Sequence, residues 1–189
     1  MPFDHFDFIA HLYNRVGPFS APGLLYDMLN LSSDGVLLDA GGGTGRVAEA
    51  LQCRVRDVVV ADLSRGMLSH AASKGLSTAC SKTEQLPFAS SSFEHIIMVD
   101  ALHHVFDQRQ TSSELWRVLK PGGRIVIIEP NILKFVVKLI AFGEKILLMR
   151  SHFLPPEEIV ALFTSQNSHV QLISRDNDAW VCVEKVREL

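Results

Sequence analysis

The sequence predicts an α/β protein: a Rossmann-like three-layer sandwich whose open, mostly parallel sheet carries helices on both faces. Three observations predict it. Apolar runs recur at Val36–Ala40, Val58–Asp62, Glu94–Asp100 and Arg124–Glu129 without helical spacing, as strands buried on both faces do. Stretches with helical start and stop signals separate several of them. The first run passes straight into the glycine cluster Gly41-Gly-Gly-Thr-Gly45 and then into residues able to start a helix, the strand-turn-helix order at which such sheets bind ligands.

A chain of 189 residues favours one domain, 1–189, with enough core to fold without disulfides or metals. Hydrophobic residues at 47% and charged residues at 21% are an ordinary globular composition, and a net charge of −3 gives no footprint for nucleic acid. Cys53, Cys80 and Cys182 lack metal or CxxC spacing and read as buried thiols of a reducing compartment. The N-terminus has no basic region followed by an apolar run, so the expected location is the cytoplasm.

Residues 1–30 are expected to form two cap helices. Phe6, Ile9 and Tyr13 share one helical face, and Gly17-Pro18 ends that helix. Pro22 or Gly23 begins the second, which carries Leu24, Leu25, Met28 and Leu29.

Beyond the Val36–Ala40 strand, glycine at 41, 43 and 45 admits positive φ and lets a ligand lie on the main chain. The helix opening near Arg46 would point its free N–H groups at that ligand. A nicotinamide site needs glycine at the first, third and sixth positions, and the sixth residue from Gly41 is Arg46. A triphosphate loop needs Gly-Lys-Ser/Thr, and no lysine lies between Leu31 and Lys74.

Leu38-Asp39-Ala40-Gly41-Gly42-Gly43-Thr44-Gly45 resembles the first motif of class I S-adenosylmethionine-dependent methyltransferases, an acidic-x-Gly-x-Gly-x-Gly pattern matched without a gap. The resemblance implies that Asp39, Ala40, Gly41, Gly43 and Gly45 line a site for S-adenosylmethionine, with S-adenosylhomocysteine as product. Phe8-Ile9-Ala10-His11-Leu12-Tyr13-Asn14 is similar to the Phe-Asp-x-Ile-Ala-x-x-Tyr-Asp opening of the ubiquinone and menaquinone methyltransferase group. In that group the tyrosine lies over the cofactor, which Tyr13 would do here; Asn14 stands where the group has Asp.

The second strand, Val58–Asp62, ends in an acid 21 residues beyond Gly41, the spacing at which a carboxylate can accept hydrogen bonds from both ribose hydroxyls of an adenosine. Capping of the next helix, Ser64 to Lys74, is the structural alternative for Asp62. The resemblance implies that Leu63 and Met67 flank the adenine. Gly75 stops the helix and a weak strand, Ser77–Cys80, follows. Thr83-Glu84-Gln85-Leu86-Pro87-Phe88, with Ser92-Phe93 behind it, is similar to the family's Asp-Ala-Glu-x-Leu-Pro-Phe … Ser-Phe-Asp stretch, whose first acid reads the adenine amine. Lys82 replaces that acid and cannot accept from an amine, so main-chain groups near Thr83 and Glu84 read adenine or Lys82 points to solvent.

Asp100-Ala101-Leu102-His103-His104 lies just past the fourth strand, at the sheet edge where site chemistry collects. Asp100 and Ala101 are expected beside the cofactor. His103 and His104 are equally readable as a pair that caps the strand; no HExxH is present and no metal is expected. A helix over Gln110–Leu119 stops at Lys120-Pro-Gly-Gly123, a sharp turn into the fifth strand, Arg124–Glu129. Leu115-Trp-Arg-Val-Leu-Lys-Pro-Gly-Gly-Arg124 again resembles the family, so the resemblance runs over about residues 6 to 130.

A helical insertion is expected over 131–165. Five charges between Ile132 and Arg150 argue against a membrane span, and at about 100° per residue Lys134, Lys138 and Lys145 face away from Phe135, Leu139, Phe142 and Ile146. That basic amphipathic stretch, 132–150, either packs on the sheet or makes peripheral membrane contact. Pro155-Pro156-Glu-Glu158 starts a last helix through Phe163. His169–Ser174 and Ala179–Lys185 close the chain as a hairpin, completing seven strands, and the resemblance implies that the last one is antiparallel.

The expected activity is transfer of a methyl group from S-adenosylmethionine to a small, apolar-ring or lipid-like acceptor. Any base needed is sought among His104, Asp100, Glu129 and His152. Two other readings stand beside it: a non-catalytic S-adenosylmethionine-binding module that regulates a partner, and a nicotinamide oxidoreductase, which Arg46 weakens.

Overall fold

The computed structural model describes residues 22–134, 137, 151–164 and 167–187. Tyr13, the first cap helix and most of the amphipathic stretch 132–150 lie outside the described residues. Within them the strands are β1 (Val36–Ala40), β2 (Asp57–Asp62), β3 (Ser77–Cys80), β4 (Phe93–Val99), β5 (Leu119–Pro130), β6 (Ser168–Arg175) and β7 (Asp178–Lys185). The helices are α1 (Pro22–Leu29), α2 (Arg46–Leu51), α3 (Arg65–Ser73), α4 (Gln108–Val118) and α5 (Pro156–Ala161).

The sheet order is β3-β2-β1-β4-β5-β7-β6. β1 to β5 pair in parallel, and β7 runs antiparallel to both β5 and β6, so it is the single reversed strand. Chain order turns back at β1: β2 and β3 extend the sheet on one side, β4 and β5 on the other. That switch opens a crevice at the C-terminal ends of β1 and β4.

The period-two alternation of buried strands builds the two core layers. Leu37, Val60, Ile97, Val126, Ile128 and Trp180 face α1, α2 and α3 through Leu25, Leu29, Val47, Leu51 and Leu68. Leu38, Ile96, Met98, Ile125, Ile127 and Val181 face the other way, onto Leu115 and Val118 of α4 and onto Ile159 and Phe163. Leu37, Leu38, Ile96 and Ile97 are fully buried, each side chain contributing about 1.5–3 kcal/mol by leaving water.

Local signals set the helix ends. Ser64 Oγ accepts from the Met67 amide at 3.1 Å and Asp107 Oδ1 from the Gln110 amide at 2.9 Å, so each caps the helix it precedes. Pro156 stands at the start of α5, where a missing N–H costs nothing.

Two expectations are corrected. The Lys120-Pro-Gly-Gly123 segment does not separate α4 from β5: Leu119 already pairs with Phe93, and the ladder resumes at His95 with Arg124, so the turn is a bulge inside one strand. Gly122, at φ +81, supplies the conformation that the bulge needs. Of the three cysteines only Cys182 is buried; Cys53 sits in a 3₁₀ turn with no buried residue and Cys80 on the edge strand β3, and both are exposed.

Candidate functional site

The crevice at the switch point is floored by the turn after β1. Asp39, 1% exposed, accepts from the Ala48 amide at 3.2 Å and so ties the end of β1 to α2. Burial drives its pKa up to about 7 against the pull of that amide; the Asp62 charge pushes it further and Arg46 pulls it back.

The glycines divide by what surrounds them. A Cβ at Gly42 would lie 2.4 Å from Asp39 Cγ, one at Gly45 2.5 Å from Leu76 Cδ1, and one at Gly41 2.7 Å from the Ala101 Cβ. Those three are glycine because the protein itself fills the space. At Gly43, φ +54, the nearest atom to an added Cβ is Met67 Sδ at 3.8 Å. Among the described residues, the turn therefore leaves open space only above Gly43, a fit for a ligand lying on the main chain.

Asp62 borders that cradle. Its Oδ2 accepts from the Gly43 amide at 2.9 Å and its Oδ1 from the Ser64 amide at 2.8 Å. The two amides hold the carboxylate at the edge of the cradle, an acceptor group of the kind that binds sugar hydroxyls. The helix cap belongs to Ser64, not Asp62. Of the two residues read as flanking the adenine, Met67 is buried beneath the turn and Leu63 is 58% exposed beside it.

Thr83 and Glu84 do not present free side chains. The Thr83 hydroxyl shares a 3.2 Å hydrogen bond with that of Thr111, and Glu84 Oε1 accepts from the amides of Phe106 and Asp107 at 2.7 and 3.2 Å. Glu84 thus pins the loop after β4. Lys82 is exposed.

Across the crevice, Asp100 takes a left-handed φ of +53 just past β4. Desolvation and the charges of Glu129 and Asp178 raise its pKa to about 6, opposed by His103 and Arg46. Arg46, the first residue of α2, reaches to 3.9 Å from its Oδ2. Behind Asp100, Glu129 organises the turn: Oε1 accepts from the amides of Ala101 at 2.9 Å and Leu102 at 2.7 Å, and Oε2 meets His103 Nδ1 at 2.5 Å. The His103 ring stacks on Phe153 with centroids 4.3 Å apart.

These contacts sort the candidate bases. Glu129 and His103 are 3% and 4% exposed and engaged with each other, so they shape the turn rather than face an acceptor. His104 is only partly buried, and desolvation together with the His103 charge lowers its pKa to about 3, leaving a neutral imidazole that is a weak base. His152 is exposed, and its amide donates to the His103 carbonyl at 2.7 Å.

Sequence reasoning missed the clamp of Glu129 on residues 101–103 and the reach of Arg46. A buried acid at the end of an apolar strand was the available signal for the first. Also unforeseen is that the exposed large apolar residues among the described ones, Leu63, Phe106 and Leu133, all follow the C-terminal ends of parallel strands. They come after the strand ends at which the crevice opens.

Residues 38–127 match the model of a family described as a methyltransferase domain. Over 150 residues the chain is 31% identical to the ubiquinone/menaquinone biosynthesis C-methyltransferase of Geotalea daltonii, covering 70% of this chain and 64% of that protein. Over 98 residues it is 39% identical to the demethylmenaquinone methyltransferase of Clavibacter sepedonicus, covering 49% and 40%. The chain thus spans less than two thirds of either relative's length. Among solved structures, the YcgJ protein of Bacillus subtilis superposes with a TM-score of 0.77 at 19% identity, over 88% of this chain and 98% of that one, a likeness of fold.

Proposed function

We propose that the chain, whose residues 38–127 match the methyltransferase-domain model, is a class I S-adenosylmethionine-dependent methyltransferase that transfers a methyl group to a small, lipophilic acceptor. One observation carries the reading: open space above Gly43 is bordered directly by the Asp62 carboxylate, 2.9 Å from the Gly43 amide.

In this reading the turn from Asp39 through Ala40, Gly41, Gly43 and Gly45 seats the nucleoside, and the Asp62 carboxylate takes the ribose hydroxyls. Leu63 and Met67 flank the adenine, main-chain groups of Thr83 and Glu84 read its edge, and Asp100 and Ala101 border the methionine portion. Tyr13, a cofactor-binding residue by resemblance, lies outside the described residues.

When bound, the cofactor supplies a sulfonium methyl that is already electrophilic, so positioning and exclusion of water carry most of the rate. The exposed apolar side chains of Leu63, Phe106 and Leu133, each following the C-terminal end of a parallel strand, support an acceptor with an apolar ring or chain. The relatives named for ubiquinone, menaquinone and demethylmenaquinone act on molecules of that kind. His104, neutral at pH 7, orients an acceptor by hydrogen bonding rather than by taking its proton.

The segment 132–150 meets the membrane surface peripherally when the acceptor is lipid-borne. No helix of the described residues is long and apolar enough to cross a membrane. The free thiols of Cys53, Cys80 and Cys182, two of them exposed, suit a reducing cytoplasm.

Isothermal titration with S-adenosylhomocysteine, followed by transfer of a labelled methyl to quinone-like acceptors, tests the reading. Micromolar binding and label in the acceptor are expected; absence of any binding heat overturns it.

A further inference from the structure

The sheet ends in two edge strands, and they are unlike. β3 closes one side with 4 residues; β6 closes the other with 8, Ser168–Arg175, and carries no proline, glycine or lysine. Proteins blunt edge strands by keeping them short, kinked or charged, because an exposed edge pairs with any strand that reaches it. The one full charge on β6, Arg175, stands at its end and lies 3.8 Å from Asp176. β6 is a long edge without those protections.

The ladder fixes where its backbone groups point. β6 pairs with β7 from Ser168 opposite Lys185 to Arg175 opposite Asp178 without a shift, and the Val186 amide donates to the Asn167 carbonyl at 3.0 Å. Opposite residues in an antiparallel pair alternate between bonded and non-bonded. With Asn167 bonded, residues 169, 171, 173 and 175 turn their amides and carbonyls toward β7, and Val170, Leu172 and Ser174 turn theirs away from the sheet. Among the described residues no strand lies on that side. Side chains sort by the same parity. Val170 and Leu172 pack on the core layer that faces α4 and α5, whereas His169, Gln171 and Ile173 border a cavity of about 340 Å³ beside Met28 at the end of α1. Gln171 is exposed.

We propose that this edge joins two copies of the chain, β6 against β6 in antiparallel order about a twofold axis at Gln171, so that the two sheets run on as one. A strand paired with its own copy is self-complementary, as a closed twofold interface requires. This register sets Val170 opposite Leu172 of the second copy on both sides of the axis, with their outward amides and carbonyls bonded to one another, and carries the apolar layer beneath α5 across the joint. An axis at Leu172 would set Val170 opposite Ser174 and His169 opposite Arg175; an axis at Val170 would set Leu172 opposite Ser168. β5 and β7 separate β6 from β4, so the joint leaves each crevice to its own chain.

Sedimentation equilibrium over a concentration series tests the proposal, and reversible dimerisation of wild type is expected. Gln171→Lys and Gln171→Glu each set like charges opposite one another at the axis; each is expected to raise the dimer dissociation constant about 10-fold or more, and an equimolar mixture of the two to restore association. With Cys53 and Cys80 replaced by serine, Gln171→Cys is expected to cross-link under mild oxidation, since Cα atoms of a non-bonded pair lie about 4.5 Å apart, within disulfide range. Ser174→Cys, about 20 Å from its twin in this register, is not expected to cross-link. Wild type that stays monomeric throughout overturns the proposal. A dimer that both charged variants leave intact, or a mixture no tighter than either variant alone, overturns it too, because the interface then lies elsewhere. Cross-linking at 174 and not at 171 overturns the register.

Discussion

The Asp62 carboxylate accepts the Gly43 amide at 2.9 Å, so the tip of β2 is fastened to the turn after β1 by a side chain from the neighbouring strand. With its second oxygen on the Ser64 amide at 2.8 Å, Asp62 fixes the crevice floor before any ligand arrives. Its fold role and its proposed binding role therefore coincide in one group.

Replacing Asp62 with Ala is expected to lower stability by about 1–3 kcal/mol, since two backbone donors lose their acceptor. The same change should weaken S-adenosylhomocysteine by about 1.5–3 kcal/mol as the charge-assisted bonds to the ribose go. Thermal unfolding and isothermal titration read the two effects separately. Unaltered affinity in a folded variant would remove Asp62 from the binding site.

Gly42→Ala and Gly43→Ala, adjacent changes of identical chemistry, should fail in different ways. At 42 the new methyl meets the Asp39 carboxylate at 2.4–2.8 Å against buried structure, so the fold itself suffers, with a pronounced fall in melting temperature. At 43 the nearest atom among the described residues is Met67 Sδ at 3.8 Å, and the penalty is the positive φ, about 1–2 kcal/mol. The Gly43→Ala protein should fold yet lose cofactor affinity, because its methyl occupies the cradle. Equal melting temperatures for the two variants would contradict the division of the glycine turn.

That division marks the limit of what the sequence showed. The strands, their order in the chain, the switch-point turn and the acid at its rim were legible because buried strands, glycine clusters and strand-end acids have local signatures. Which glycine serves a ligand was not legible: Ala101 and Leu76, the neighbours that fill two of the four positions, arrive from 60 and 31 residues away. Cys53 and Cys80 were misread for the same reason, since exposure is decided by which neighbours the fold supplies. The Lys120–Gly123 segment looked like a terminator because proline and glycine end strands locally, whereas pairing of Leu119 with Phe93 carries β5 through it.

Asp39 makes stability depend on pH. Its folded pKa, about 7, lies above the ordinary carboxyl value of 3.8, so folding is favoured by the protonated form. That contribution is complete below about pH 4 and is lost as pH rises through 7. Asp39→Asn keeps an acceptor for the Ala48 amide and cannot ionise. The variant's stability relative to wild type should therefore climb between pH 4 and pH 7 and level off above, by a few kcal/mol in total. Paired chemical denaturation at pH 4, 5.5, 7 and 8 checks this, and a difference that does not vary with pH would show that Asp39 titrates normally.

Glu129 is expected to be the most sensitive polar position behind the crevice. Its carboxylate accepts from the Ala101 and Leu102 amides and from His103 Nδ1, and the residue is 3% exposed. In Glu129→Gln the oxygen can still receive both amides, but its NH₂ faces a ring nitrogen that donates in the present arrangement. His103 must then move its proton to Nε2, and the expected loss is about 1–3 kcal/mol. Glu129→Ala leaves both amides buried without their acceptor and should cost more, about 3–5 kcal/mol. Because Ala101 presses against Gly41, loosening residues 101–103 also frees the glycine turn, so binding of S-adenosylhomocysteine should weaken in the same order, Ala more than Gln. Nitrogen-15 chemical shifts of His103 report its tautomer directly. A Glu129→Gln protein that keeps the wild-type tautomer and stability would show that the carboxylate does not hold the turn.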